Sequence, residues 1–154
     1  MSKNFLVLLF FIAIHLFAFN VNPGINPSEK PVLQIKKIDK SLELTGRLEH
    51  PVWKLAEPVE LSYEIRPGDN IQAPERTLVR ALYDDKYIYF GFECYDKNPS
   101  QIRANITDRD RMFDDDYVII VLDTYGDYQK GYEFAVNPYG IKGDLLATMN
   151  NEDA

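Results

Sequence analysis

Apolar and polar residues alternate along most of the chain after residue 31, with the period of two that is typical of β-strands. The alternation covers residues 32–36, 59–65 and 131–137, and residues 141–148 are a further candidate strand. Clusters of Gly, Pro, Asn and Asp separate these stretches, as turns require. About seven short strands with turns between them predict an all-β chain, more specifically an antiparallel β-sandwich.

Two further strand-like runs, 77–83 and 87–95, are separated by Asp84, Asp85 and Lys86. This spacing predicts a β-hairpin. One face of the second run carries the carboxylate of Glu93, so the opposite face is predicted to be the core face. That face consists of Ile88, Phe90, Phe92 and Cys94.

Residues 116–122 are apolar on both faces after the initial aspartate, which predicts a central strand covered on both sides. Helical structure is predicted only as single turns near 51–55 and 99–103, each beginning at a proline.

The N-terminal segment differs from the rest of the chain. Lys3 is followed by an apolar run from Phe5 to Phe19 that only His15 interrupts. The run is short for a membrane span and suits the apolar region of a signal peptide. We therefore predict a signal peptide over 1–18, and with it export to the periplasm, the outer membrane or the outside of the cell. An uncleaved N-terminal anchor is the alternative.

Residues 19–37 are predicted to form a linker and the first strand, because Pro, Gly and Asn are frequent there. The net charge of the chain is −7, and loss of Lys3 would make the mature chain more acidic by one unit. A chain with this negative net charge is not expected to bind nucleic acid or anionic lipid, since both require clustered cations on the protein. Cys94 is the only cysteine, which excludes an internal disulfide.

Several segments occur in the order expected for one protein family. Thr45-Gly46-Arg47-Leu48 is followed by Pro51-Val52-Trp53, and then come 82–89, 114–123 and 132–140. Over about residues 38–148 the chain resembles the family-9 carbohydrate-binding modules. The closest variety is the one found N-terminal to large outer-membrane β-barrels.

The resemblance implies a jelly-roll-like β-sandwich over 38–154 whose relatives bind plant polysaccharide, often beside xylan-degrading glycoside hydrolases. Members with established sugar binding use two tryptophans, whereas Trp53 is the only one here and matches a core position. The family continues with further strands after the point that corresponds to residue 150. We therefore expect an incomplete sandwich that lacks its last strands, with an outer-membrane barrel as a candidate C-terminal partner.

Four tyrosines and one asparagine lie close together near the end of the chain. Aromatic rings stack on the C–H faces of sugars, and amides bind their hydroxyl groups. Tyrosines half-buried in strands and turns are the alternative interpretation. The candidate carbohydrate-binding residues are Tyr125, Tyr128, Tyr132, Asn137 and Tyr139.

An acidic stretch precedes the predicted central strand. Several carboxylates from one loop could bind Ca²⁺, which prefers oxygen ligands, although Arg109 and Arg111 could equally neutralise the loop. The candidate ligands are Asp110, Asp114, Asp115 and Asp116. No other cofactor is expected.

No catalytic residue is predicted. His50 is the only histidine after the leader, and the chain contains no Gly-x-Ser-x-Gly motif. The predicted function is therefore that of an exported module binding xylan- or cellulose-type polysaccharide, accessory to carbohydrate catabolism. One alternative is a periplasmic structural domain of an outer-membrane barrel protein that binds no sugar. A weaker alternative is an O-glycosyl hydrolase.

Overall fold

A computed structural model of the chain describes residues 11–12, 31–64 and 71–148. This part of the chain is all-β, with strands that are mostly antiparallel and only two short 3₁₀ helices, at Pro51–Leu55 and Pro99–Gln101. None of its helices is long and apolar enough to cross a membrane. The strands are β1 (Phe11–Ile12), β2 (Ile35–Lys37), β3 (Val59–Glu60), β4 (Tyr63–Glu64), β5 (Ile71–Gln72), β6 (Thr77–Tyr83), β7 (Ile88–Cys94), β8 (Val118–Leu122), β9 (Lys130–Val136) and β10 (Lys142–Thr148).

These residues form two compact units. The Trp53 unit contains 31–62 and 72–97, and the Asp115 unit contains 11–12 and 98–148 together with 63–64 and 71. Each unit has a four-stranded sheet of its own, and β4 and β5 form a separate two-stranded sheet. The strand predicted over 131–137 is confirmed by β9, and that predicted over 32–36 is confirmed only in part, by β2. The single strand predicted over 59–65 is wrong, because this segment is divided into β3 and β4, which belong to different sheets.

Strand β6 organises the Trp53 unit. It pairs along its whole length with β7 in the predicted antiparallel hairpin, from Thr77 opposite Cys94 to Tyr83 opposite Ile88. Its other edge is shared by β3, which is antiparallel, and β2, which is parallel. The Asp84 carboxylate closes the hairpin by accepting hydrogen bonds from the amides of Lys86 and Tyr87 at 2.7 and 2.8 Å.

The core of this unit forms around Trp53, which is 4% exposed. A 3₁₀ helix over Pro51–Leu55 presents the ring, and the amide of Val52 donates to Nδ1 of His50 at the start of this helix. The buried residues packed together here are Ile38, Trp53, Ala56, Leu82 and Tyr89.

The predicted core face of β7 is wrong. Tyr89 and Gly91 lie on the face that packs against the Trp53 cluster, whereas Ile88 and Cys94 are exposed. The carboxylate of Glu93 is accommodated on that face because it forms an ion pair with Arg80 on the neighbouring strand. Charge on a strand face therefore did not identify the solvent side.

The Asp115 unit has the strand order β1-β8-β9-β10. β8 and β9 are antiparallel with Ile120 opposite Phe134, and β9 and β10 are antiparallel with Phe134 opposite Asp144. β8 occupies the interior position that was predicted, but only one of its faces is fully covered. Ile119 and Val121 are buried, while Val118, Ile120 and Leu122 are half-buried. The buried cluster of this unit consists of Met112, Ile119 and Ala135.

Candidate functional site

The loop between β8 and β9 is organised by a single carboxylate, that of Asp123. One oxygen accepts hydrogen bonds from the amides of Tyr125 and Gly126 at 3.1 and 2.7 Å, and the other accepts from the amide of Tyr128 at 2.8 Å. These bonds, the one from Tyr128 first, lower the pKa of Asp123 below its ordinary value. Because the carboxylate replaces water as the acceptor for three amides, it holds the loop in one conformation.

The same loop turns sharply. Gly126 and Tyr128 both have positive φ, at 66° and 56°. Glycine adopts this backbone region without strain, whereas a residue with a bulky side chain such as Tyr128 does so only when the surrounding structure imposes it. The bond from the Tyr128 amide to Asp123 supplies that constraint.

Two of the predicted sugar-binding tyrosines are exposed in this loop. Tyr125 is 78% exposed and Tyr128 is 57% exposed. Tyr132 lies at the adjoining end of β9, opposite Leu122 of β8, and is 46% exposed. The structure therefore brings Tyr125, Tyr128 and Tyr132 to one end of the sheet. We call these three residues the tyrosine end.

The remaining two predicted residues lie elsewhere. Tyr139 is exposed in the turn between β9 and β10, at the opposite end of the seven-residue strand β9. At about 3.3 Å per residue this separates it from the tyrosine end by about 20 Å. Asn137 is buried, with 4% of its surface exposed.

Asn137 belongs to a buried polar cluster with Asp115. Its amide nitrogen donates to the Asp115 carboxylate at 2.8 Å and to the carbonyl of Asn105 at 3.0 Å. Its amide oxygen accepts from the backbone of Tyr139 and Ile141. Both ends of the side chain are thus used to hold the β9–β10 turn.

Asp115 is 2% exposed and accepts from the backbone and the side chain of Asn105 as well as from Asn137. The amide of Asn105 is the largest of the interactions that lower its pKa. A buried carboxylate is tolerated only when its oxygens are satisfied in this way. The hydrogen bonds of Asp115 to Asn105 and Asn137 therefore hold the segment 103–116 against the end of β9.

The other predicted calcium ligands point to separate protein partners. Asp110 accepts from the amide of Asp144, and Asp116 accepts from the amide of Arg103. Asp114 is exposed. Within the described ranges, no three acidic, histidine or cysteine side chains lie together as a metal site would require. Calcium binding at this stretch stays a prediction.

Two features of these surfaces were not predicted. One is the role of Asp123. An aspartate that precedes a glycine by three residues, as Asp123 precedes Gly126, is a recognisable turn signal in a sequence. The other is an open cleft of about 910 Å³ in the Trp53 unit, lined by apolar Leu42 and Val52 and by Lys40, Arg47 and His50 among others. His50 already accepts the Val52 amide through Nδ1, which ties it to the 3₁₀ helix.

Comparison of the chain with known protein families, curated proteins and solved structures finds no match. Conclusions about function therefore depend on the residues and on their arrangement.

Proposed function

We propose that the chain is an exported carbohydrate-binding module that recognises xylan- or cellulose-type polysaccharide through the tyrosine end. The proposal includes the antiparallel, jelly-roll-like β-sandwich and an accessory role in carbohydrate catabolism. The observation that carries it is the loop in which Asp123 fixes the backbone of two exposed tyrosines, Tyr125 and Tyr128.

Exposed tyrosines on a fixed loop have the properties that sugar recognition needs. A tyrosine ring offers an apolar face to the C–H surface of a pyranose, while its hydroxyl remains free to hydrogen-bond. Because three amides already bind Asp123, ordering the loop around a ligand costs little further conformational entropy. Lys130, exposed at the start of β9, is a candidate donor to sugar hydroxyls.

The proposal is tested by retention of the full chain on insoluble xylan and cellulose. Tyr125→Ala and Tyr128→Ala should each weaken retention by about two- to twelve-fold, which corresponds to about 0.5–1.5 kcal/mol for an aromatic contact. Tyr87→Ala is the matched control, because Tyr87 is as exposed as Tyr128 but belongs to the hairpin of the Trp53 unit.

The control variant should be retained like the unaltered protein. If the folded chain binds neither polymer, nor soluble xylo- or cello-oligosaccharide at millimolar concentration, sugar binding is the wrong function.

One observation favours a second candidate, the structural domain of an outer-membrane barrel protein. Phe134, Val136 and Leu146 are exposed and share the sheet face of Tyr132, with Leu146 directly opposite Tyr132. The aliphatic side chains of Val136 and Leu146 add nothing to the recognition of hydroxyl groups, and exposed apolar surface is typical of protein contacts.

The two candidates predict different results for Phe134→Ser combined with Leu146→Ser. If the face contacts protein, this variant should lose association with itself or with the barrel domain. Retention on polysaccharide, if the tyrosine end binds sugar, should be unchanged.

A further inference from the structure

Tyr128 has a backbone conformation that its residue type rarely adopts. Its φ of 56° lies in the left-handed region, where the Cβ atom of any residue other than glycine crowds a backbone carbonyl oxygen. Among the described residues, the only other non-glycine residue with positive φ is Asp110. Aspartate is one of the few residue types that visit this region, and the Asp110 carboxylate accepts a hydrogen bond from the amide of Asp144. Tyr128 is therefore the one bulky side chain that the described residues hold there.

The ring of Tyr128 does not offset this strain by packing inside the fold. Its side chain is exposed, and it belongs to neither of the buried clusters that the described residues form. Glycine at this position would remove the crowding. Strained backbone is concentrated at binding sites, where the surrounding structure fixes it. A ring at this position therefore points to a contact outside the chain.

The ring of Tyr128 is also better prepared for binding than that of Tyr125. The amide of Tyr128 has Oδ2 of Asp123 to itself at 2.8 Å, whereas the amide of Tyr125 shares Oδ1 with Gly126 and lies at 3.1 Å. Tyr125 is the more exposed of the two, and positive φ does not occur there. A mobile side chain loses conformational entropy when a ligand orders it. This loss is therefore expected to be smaller for Tyr128.

We propose that Tyr128 is the anchor of the tyrosine end, the residue whose ring makes the main contact with the sugar chain. Its left-handed backbone fixes the direction of the ring at a cost in stability. Tyr125 makes a weaker contact that becomes ordered on binding. The proposal rests on the sugar-binding function and adds to it the residue on which most of the affinity depends.

Substitutions at both positions separate the ring from the backbone. Tyr128→Ala removes the ring but keeps the Cβ atom, whereas Tyr128→Gly removes both. The melting temperature of Tyr128→Gly should exceed that of Tyr128→Ala by about 2–4 °C, because glycine adopts the left-handed region without crowding. Between Tyr125→Gly and Tyr125→Ala the order should be reversed, since glycine at an ordinary φ only adds freedom to the unfolded chain.

Retention of the full chain on insoluble xylan and cellulose measures the contact itself. Tyr128→Ala and Tyr128→Gly should both weaken retention by about ten-fold, and Tyr125→Ala by about two- to three-fold. Tyr128→Phe keeps the face of the ring and should be retained within about two-fold of the unaltered protein. Loss of retention in Tyr128→Gly, the more stable variant, cannot result from unfolding.

Three outcomes would contradict the assignment of the anchor. An equal or greater loss in Tyr125→Ala than in Tyr128→Ala would overturn it and leave sugar binding intact. A melting temperature of Tyr128→Gly at or below that of Tyr128→Ala would also overturn it, because the backbone at Tyr128 would then carry no strain. If the unaltered chain is retained on neither polymer, the proposed function is wrong and the anchor falls with it.

Discussion

Trp53 lies directly over Gly91, so that a Cβ atom placed on Gly91 would come within 3.0 Å of Cζ3 of the tryptophan ring. The same atom would come within 2.7 Å of Cδ2 of Leu48. Glycine in the middle of a strand usually weakens it, unless another group must approach the backbone closely. Here the ring of Trp53 is that group, and its approach decides which face of β7 is covered.

Gly91→Ala should therefore lower the free energy of unfolding by about 1–3 kcal/mol, the usual cost of overpacking. Urea unfolding followed by tryptophan fluorescence measures it. Because the nearest atom belongs to Leu48, the double variant Gly91→Ala/Leu48→Ala should be less destabilised than the sum of the two single variants. Strict additivity would contradict the described contact.

Trp53→Ala should destabilise the Trp53 unit by about 3–5 kcal/mol through lost burial and the cavity it leaves. In the unaltered protein the emission of this single tryptophan should be blue-shifted and should move to the red on unfolding. A native spectrum already at the wavelength of exposed tryptophan would contradict its burial. The melting temperature of Trp53→Ala should fall, whereas that of Tyr128→Ala should stay the same.

Asp84 should make stability depend on pH in the acid range. Its pKa is held well below the ordinary value, mainly by the hydroxyl of Tyr89, which donates to Oδ2 at 2.7 Å, and also by Ser41. Because the folded-state pKa is lower than the unfolded one, the unfolded chain binds the proton first as pH falls. The contribution of ionised Asp84 to the free energy of unfolding is complete above the pKa of aspartate in the unfolded chain, about 3.9. It is lost progressively as the pH falls below that value.

Unfolding measured between pH 2 and 6 should therefore show a steeper loss of stability below about pH 4 in the unaltered protein than in Asp84→Asn. Asp115 and Asp123 also have lowered pKa values, so their contributions to stability also fall at acid pH, and they do so in both proteins. Parallel curves for the two proteins would argue against the Asp84–Tyr89 hydrogen bond.

Asn137→Ala should destabilise the Asp115 unit by about 1–3 kcal/mol, because it leaves a buried oxygen of Asp115 without one of its donors. Thermal unfolding measures this loss, with the exposed Tyr139→Ala as the control from the same turn. Retention on polysaccharide, measured at a temperature where the variant is folded, should be unchanged. Weaker retention without a change in stability would place Asn137 in a binding site instead.

Asp123→Ala should weaken retention on polysaccharide more than either single tyrosine substitution, because it releases the backbone amides that hold Tyr125 and Tyr128. The change in melting temperature should be small, since the loop is exposed. Asp127→Ala is the control from the same loop, as its side chain accepts only from the amide of Gln129 among the hydrogen bonds described. Equal effects of the two substitutions would contradict the role of Asp123.

Strands and turns followed directly from the residue pattern. The hairpin of β6 and β7, the apolar strand β8 and the alternating strand β9 lie where the residue pattern predicted them, because a strand's alternation and a turn's composition are local properties. β10 lies within the candidate strand 141–148. The burial of Trp53 was also predicted, from the resemblance of residues 45–53 to a family motif in which the tryptophan lies in the core. The division into two units was not.

Only the tertiary structure decided which face is covered and which polar groups are occupied. Glu93 suggested a solvent-facing side for β7, yet Arg80 neutralises it and Trp53 packs over Gly91 on that side. Asn137 was predicted as a binding residue, and the structure buries it beside Asp115, 22 positions earlier in the chain. Such roles depend on contacts between residues distant in sequence, which no local pattern of hydrophobic and polar positions encodes.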